Sequence, residues 1–104
     1  MKNNLVSYHE DLMTALRNPV ERAEYINAAL EGGDSRDLLM ALRHVAEATG
    51  GMRNLSVKSR LSRETLYRTL SPRGNPELSS LERILRALGL ALRTVPVGKH
   101  AHAH

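Results

Sequence analysis

Leucine, alanine, valine, isoleucine and methionine recur through this chain at steps of three and four, and breaks bearing glycine or proline cut the pattern into short pieces. That spacing lines up side chains on one face of a 3.6-residue helix, whereas a half-buried strand would alternate. The chain is therefore expected to be all-α, a compact domain of five to six short helices. Residues 8–17 predict a first helix, with Leu12, Ala15 and Leu16 on one face. Asn18-Pro19 reads as a cap and first position, followed by an apolar edge of Val20, Ala23, Ile26 and Leu30 that Gly32-Gly33 stops. A third helix opens at Asp34-Ser35, with Ser35 as its cap, and carries Leu38, Leu39, Leu42, Val45, Ala46 and Thr49 to Gly50-Gly51. Short helices follow at residues 55–59, capped by Asn54, and at 62–70. Residues 71–76 form a loop by composition. Ser79 with Glu82 reads as the capping box of a last helix, edged by Leu78, Leu81, Ile84, Leu85 and Leu88 and closed by Gly89. Residues 90–97 alternate in part and suit a short C-terminal strand or an extended arm.

At 104 residues this is one domain, residues 1–97, with a disordered, histidine-containing tail at 98–104. The chain holds no Phe, Trp or Cys, so its core is built from aliphatic side chains, and disulfides and zinc–thiolate sites are excluded. No apolar run is long enough to span a bilayer and no signal peptide is evident, so a cytoplasmic location is expected. The net charge of +4 is unevenly placed: residues 1–50 carry 5 Lys/Arg against 8 Asp/Glu, and residues 51–104 carry 10 against 3. The second half suits a polyanion and the first half repels one.

Residues 54–70 have the layout of a helix-turn-helix unit: a scaffold helix, a tight turn at Arg60-Leu61, and a second helix that can reach a DNA major groove. Leu66 and Leu70, four apart, share the inward face, which turns Glu64 and Arg68 outward with Thr65 and Tyr67 at their flanks. Ser62, Arg63, Glu64, Thr65, Tyr67 and Arg68 are the candidate base-reading residues. Arginine grips guanine through two parallel hydrogen bonds, and threonine contacts a thymine methyl. Glu64 either accepts from cytosine or pairs with Arg68. Arg53, Lys58, Arg60, Arg73 and Asn75 are the candidate contacts to phosphate.

The run Leu61-Ser-Arg-Glu-Thr-Leu-Tyr-Arg-Thr-Leu-Ser-Pro-Arg-Gly-Asn-Pro76, then Leu85-Arg-Ala-Leu-Gly-Leu90, resembles HigA-type addiction-module antidote proteins, which are lambda-repressor-like (XRE) helix-turn-helix antitoxins. Tyr25-Ile-Asn-Ala-Ala-Leu-Glu-Gly-Gly-Asp34 and Ala41-Leu42-Arg43 extend the likeness to about residues 20–92. The resemblance implies a RelE/HigB-like ribonuclease toxin as partner, and a homodimer that represses its own operon at an inverted-repeat operator in double-stranded DNA. Where such turns usually hold glycine this chain has Arg60, which costs on the order of 1 kcal/mol if the backbone there is left-handed.

Two other readings stay open: a stand-alone transcription regulator of the same fold, and a helical interaction module that has lost DNA binding. The acidic first half offers electrostatic complementarity to a basic toxin. His100, His102 and His104 alternate in the tail without an evident fourth ligand, so no metal and no cofactor are expected. No glycine-rich nucleotide loop, zinc motif or nucleophile elbow is present, and no enzymatic activity is expected.

Overall fold

The structure, a computed structural model, describes residues 4–98. Six helices follow one another: α1 (Asn4–Ala15), α2 (Pro19–Gly32), α3 (Ser35–Ala48), α4 (Gly51–Ser59), α5 (Arg63–Thr69) and α6 (Leu78–Ala87). The described residues contain no strand; of the strand and the extended arm considered for residues 90–97, the structure has the arm, irregular and exposed from Ala91 onward. The tail from Lys99 to His104 lies outside the described residues. No described helix is long and apolar enough to cross a membrane.

Helix α3 is the hub. It packs against α2 through a two-residue link and also against α1 and α4, and α4 in turn carries α5 and α6. The expected α3 stripe is largely realised: Leu39, Leu42, Val45 and Ala46 are buried, joined by Ala41, while Leu38 and Thr49 are half-buried. Leu16, Ile26, Leu55, Leu66, Leu70, Ile84, Leu85 and Leu88 close around it. The face of α2 differs from the expectation. Val20 and Leu30 are exposed and Ala23 is half-buried, and the inward row is Arg22, Tyr25, Ile26 and Ala29. These stand at i, i+3, i+4 and i+7, which is helical spacing with a cation at its first position.

Arg22 belongs on that face because its guanidinium meets carbonyls that the helix ends leave without partners. Its Nε donates to Leu16 O at 2.8 Å, Nη2 to Arg17 O at 2.9 Å and Nη1 to Leu88 O at 2.9 Å. One side chain thus ties the end of α1 to the end of α6, 66 residues away in sequence. Beyond it, Gly89 adopts φ 82°, and Leu90 N donates to Leu85 O at 2.8 Å and Gly89 N to Arg86 O at 3.0 Å, the paired bonds of a Schellman turn.

The helix starts follow ordinary capping physics, with three departures. Asn18 accepts from Val20 N at 2.8 Å, as expected. The cap of α3 is Asp34 rather than Ser35: its carboxylate accepts from Arg36 N at 2.9 Å, where a negative charge also suits the helix dipole. Helix α4 begins at Gly51 rather than Leu55, so Asn54 is not its cap. Asn54 Nδ2 instead reaches back to Thr49 O at 2.7 Å and covers the end of α3. Gly50, at φ 116°, turns the chain between the two helices. Helix α6 begins at Leu78 with Glu77 before it, and no side chain caps it. Ser79 and Glu82 are already inside the helix, so the expected box does not form.

A polar seam joins the first three helices. The Tyr25 hydroxyl and His44 Nδ1 are hydrogen-bonded at 2.7 Å, and His9 Nε2 lies 2.9 Å from Glu47 Oε2. Burial pushes the His44 imidazole below its ordinary range, reinforced by His9 and Arg43 and opposed by Glu47. Burial likewise raises the Tyr25 hydroxyl, with the nearby Tyr8 adding to it.

Two outcomes follow from this packing. Arg22→Ala is expected to lower unfolding stability by about 2–3 kcal/mol in urea titration, while Val20→Ala changes it by less than about 0.5 kcal/mol. His44 takes up a proton more readily in the unfolded chain than in the folded one. Stability is therefore lost as pH falls through the unfolded value near 6.5. Denaturation midpoints measured between about pH 7.5 and pH 5 are expected to fall less steeply in His44→Gln than in the parent chain.

Candidate functional site

The link between α4 and α5 is short, and its polar groups are met from outside. Arg60 is the one non-glycine residue with positive φ among those described, at φ 62° and ψ 27°, and its N–H closes α4 on Ser56 O at 2.9 Å. The left-handed turn considered from sequence is thus kept without glycine. Ser59 is buried, and its hydroxyl accepts from Leu61 N at 3.2 Å. Ser56 Oγ donates to Leu61 O at 2.5 Å. Arg83, from α6, donates through Nε to Ser59 O and through Nη2 to Arg60 O, each at 3.1 Å. The carbonyls of residues 59, 60 and 61 are all satisfied, which offsets the strain at Arg60.

Helix α5 has seven residues, too few to hold its shape alone. Leu66 and Leu70 fix it in the core, both at 0% exposure, and Arg43 of α3 donates through Nη1 to Leu70 O at its end. Its start is capped by Ser62, whose Oγ accepts from Thr65 N at 3.0 Å and donates to Thr65 Oγ1 at 2.9 Å.

These contacts divide the candidate base readers. Ser62 and Thr65 hold each other at the start of the helix, and Thr65 is half-buried. Arg63, Glu64, Tyr67 and Arg68 are exposed, and their side chains make no hydrogen bond or ion pair with other described residues. The Glu64–Arg68 pair that the i, i+4 spacing allows is not formed. Tyr67 leans to one side, lining a shallow cleft with Arg43, Glu47, Gly51, Met52 and Leu70. The free, outward set on α5 is therefore Arg63, Glu64 and Arg68, with Tyr67 at its margin.

The candidate phosphate contacts are not all gathered around this face. Arg53 is exposed on α4, and Arg73 and Asn75 are exposed on the loop that follows α5. Lys58 and Arg60 lie towards α6, lining a shallow cleft with Ser79, Glu82, Arg83 and Arg86. The loop folds back on α5: Ser71 Oγ donates to Arg68 O at 2.8 Å, and Gly74 N donates to Ser71 O at 2.8 Å. Gly74 sits so close to the helix end that a Cβ there would lie 1.9 Å from Thr69 O. This is a steric reason for glycine in the Ser-Pro-Arg-Gly-Asn-Pro run. Among the described residues no cluster of three or more His, Asp or Glu side chains is arranged to hold a metal.

Ser56, Ser59, Arg43 and Arg83 set this geometry without being among the predicted site residues. Arg43 and Arg83 act on carbonyls 27 and 24 residues away, so no local pattern marks them.

Residues 8–96 match the family model described as probable addiction module antidote protein. The chain belongs to that family. The antidote family model thus runs from within α1 through most of the C-terminal arm, including the α4–α5 unit and the loop behind it. An uncharacterized protein of Haemophilus influenzae is 34% identical over 83 residues, covering 77% of this chain and 81% of its own length. No solved structure matches.

Gly74→Ala is expected to lower stability by about 1–3 kcal/mol, because the added methyl meets the Thr69 and Ser71 backbone. Thermal unfolding followed by circular dichroism measures it. Asn75→Ala, on the same exposed loop, is expected to leave the melting temperature within about 2 °C of the parent.

Proposed function

We propose that this antidote is a DNA-binding antitoxin: it neutralises a RelE/HigB-like ribonuclease toxin and represses the operon it shares with that toxin. In this reading α4 and α5 form a lambda-repressor-like, XRE-type helix-turn-helix unit, and a homodimer sets two α5 helices into successive major-groove faces of an inverted-repeat operator. The observation that carries it is the division of α5, with Leu66 and Leu70 wholly inside and Arg63, Glu64 and Arg68 outside and unengaged. A short, rigid helix with free arginines and a carboxylate on its outer face has the donors and acceptor that base edges require.

Arg63 and Arg68 then read guanine, and Glu64 accepts from cytosine. Tyr67 contacts the groove margin, while Ser62 and Thr65 hold the helix start in register. Arg53, Arg73 and Asn75 grip the backbone to either side. Lys58 and Arg60 add positive potential from the α6 side, which raises the rate of encounter.

Membership in the antidote family supports a toxin partner over a stand-alone regulator. The acidic surface of α1–α3 is the proposed toxin-facing side, since Glu21, Glu24, Glu31 and Asp37 are exposed there. Deleting residues 1–50 cannot test this, because it removes Leu16, Ile26, Leu39, Leu42, Val45 and Ala46 from the core. The exposed-charge variant Glu21→Lys/Glu24→Lys leaves the core intact. It is expected to weaken co-purification with the protein encoded beside it, without weakening DNA binding.

For DNA, binding to the chain's own upstream region is measured over a range of salt. Arg63→Ala is expected to cost about 1–3 kcal/mol and to relax sequence preference. Arg53→Ala is expected to weaken all sequences alike and to reduce the salt slope by about one. If Arg63→Ala and Arg68→Ala both leave affinity and preference unchanged, α5 is not the reading helix.

A further inference from the structure

The segment after α6 has a firm root and nothing to join. The Schellman turn at Gly89 and the Arg22 bond to Leu88 O fix its base, and Leu90 is half-buried against the body. From Ala91 to Gly98 every residue is exposed, including Val95 at 69% and Val97 at 91%. None of these residues makes a hydrogen bond within the described chain. Yet Thr94, Val95 and Val97 are β-branched, and Pro96 restricts Val95 to extended backbone. An apolar, strand-prone segment with its backbone unpaired is a template for pairing with another chain. The described residues contain no strand edge that it could join.

We propose that residues 91–97 pair with the same segment of a second copy, as an antiparallel two-stranded ribbon centred on Thr94. This rests on the dimeric DNA-binding reading above and names the surface that makes the dimer. A single seven-residue α5 reads too few base pairs for useful specificity, so the occupant that function requires is another copy.

The register follows from the residues. Centring on Thr94 sets Arg93 opposite Val95 of the second copy, whereas centring on Arg93 would oppose two like charges. Pro96 has no N–H and must sit where its nitrogen faces outward. That makes the Thr94 pair a non-hydrogen-bonded one, with Cα atoms about 4.5 Å apart, and lets Arg93 and Val95 exchange the ladder bonds. Threonine against threonine is a favourable cross-strand pair.

The test is sedimentation equilibrium on the full chain, which needs no DNA and so stands apart from the operator-binding test. Thr94→Arg is expected to raise the dimer dissociation constant at least about tenfold, with an unchanged helical circular dichroism signal. An equimolar mixture of Thr94→Arg and Thr94→Glu is expected to regain the dimer. Because the chain has no cysteine, Thr94→Cys gives a clean cross-link on mild oxidation. Val97→Cys does not, its two copies being about 20 Å apart in this register. A chain that is monomeric up to about 100 µM overturns the proposal; so does a dimer that Thr94→Arg leaves intact. Thr94→Arg that weakens toxin capture while self-association holds also overturns it, and assigns the arm to the toxin.

Discussion

Arginine side chains reaching across the fold to helix C-terminal carbonyls hold this structure in its shape. The carbonyls at the ends of α1, α4, α5 and α6 are each met by an arginine from elsewhere in the fold. Arg22 closes α1 and α6, Arg43 closes α5, and Arg83 closes α4 together with the turn beyond it. Each bond joins a charged donor to a carbonyl at a helix end, where an unmet partner costs about 1–3 kcal/mol. The aliphatic core is non-directional, and these fork-shaped donors supply the direction that it lacks.

For the site this means that α5 is positioned from three sides. Leu66 and Leu70 press it into the core, Arg43 holds its far end, and Arg83 braces the turn from which it starts. A non-glycine residue in a left-handed turn persists because the surrounding bonds over-determine it. The same arrangement separates the arginines by role. Arg22, Arg43 and Arg83 give their donors to the protein, and the Arg63 and Arg68 side chains make no hydrogen bond with other described residues.

Much of the helical pattern was legible because it is written locally. The three-and-four spacing marked six segments, and the Leu66–Leu70 step gave the inward face of α5. The Asn18-Pro19 cap and the antidote-family likeness of the 61–76 run also agree with what was found. The departure at α2 depends on a partner distant in sequence, Leu88 O, 66 residues from Arg22. Counting Arg22 as polar rotated the apparent face of α2 to Val20 and Leu30, because nothing near it reveals three waiting carbonyls. Gly50-Gly51 read as a stop, and both do adopt positive φ, at 116° and 83°, yet Gly51 already opens the next helix, leaving Asn54 inside it. Lys58 and Arg60, two of the candidate phosphate contacts, line a cleft with residues of α6, a placement that no local pattern shows.

The most direct measurement is a set of amide chemical-shift changes when the labelled full chain is titrated with duplex from its own upstream region. The outward face of α5 is expected to respond, with shifts centred on residues 62–68 and extending to Arg53 and the 71–76 loop, while α1 and α2 stay still. Shifts centred on α1 and α2 with residues 62–68 unmoved would contradict it.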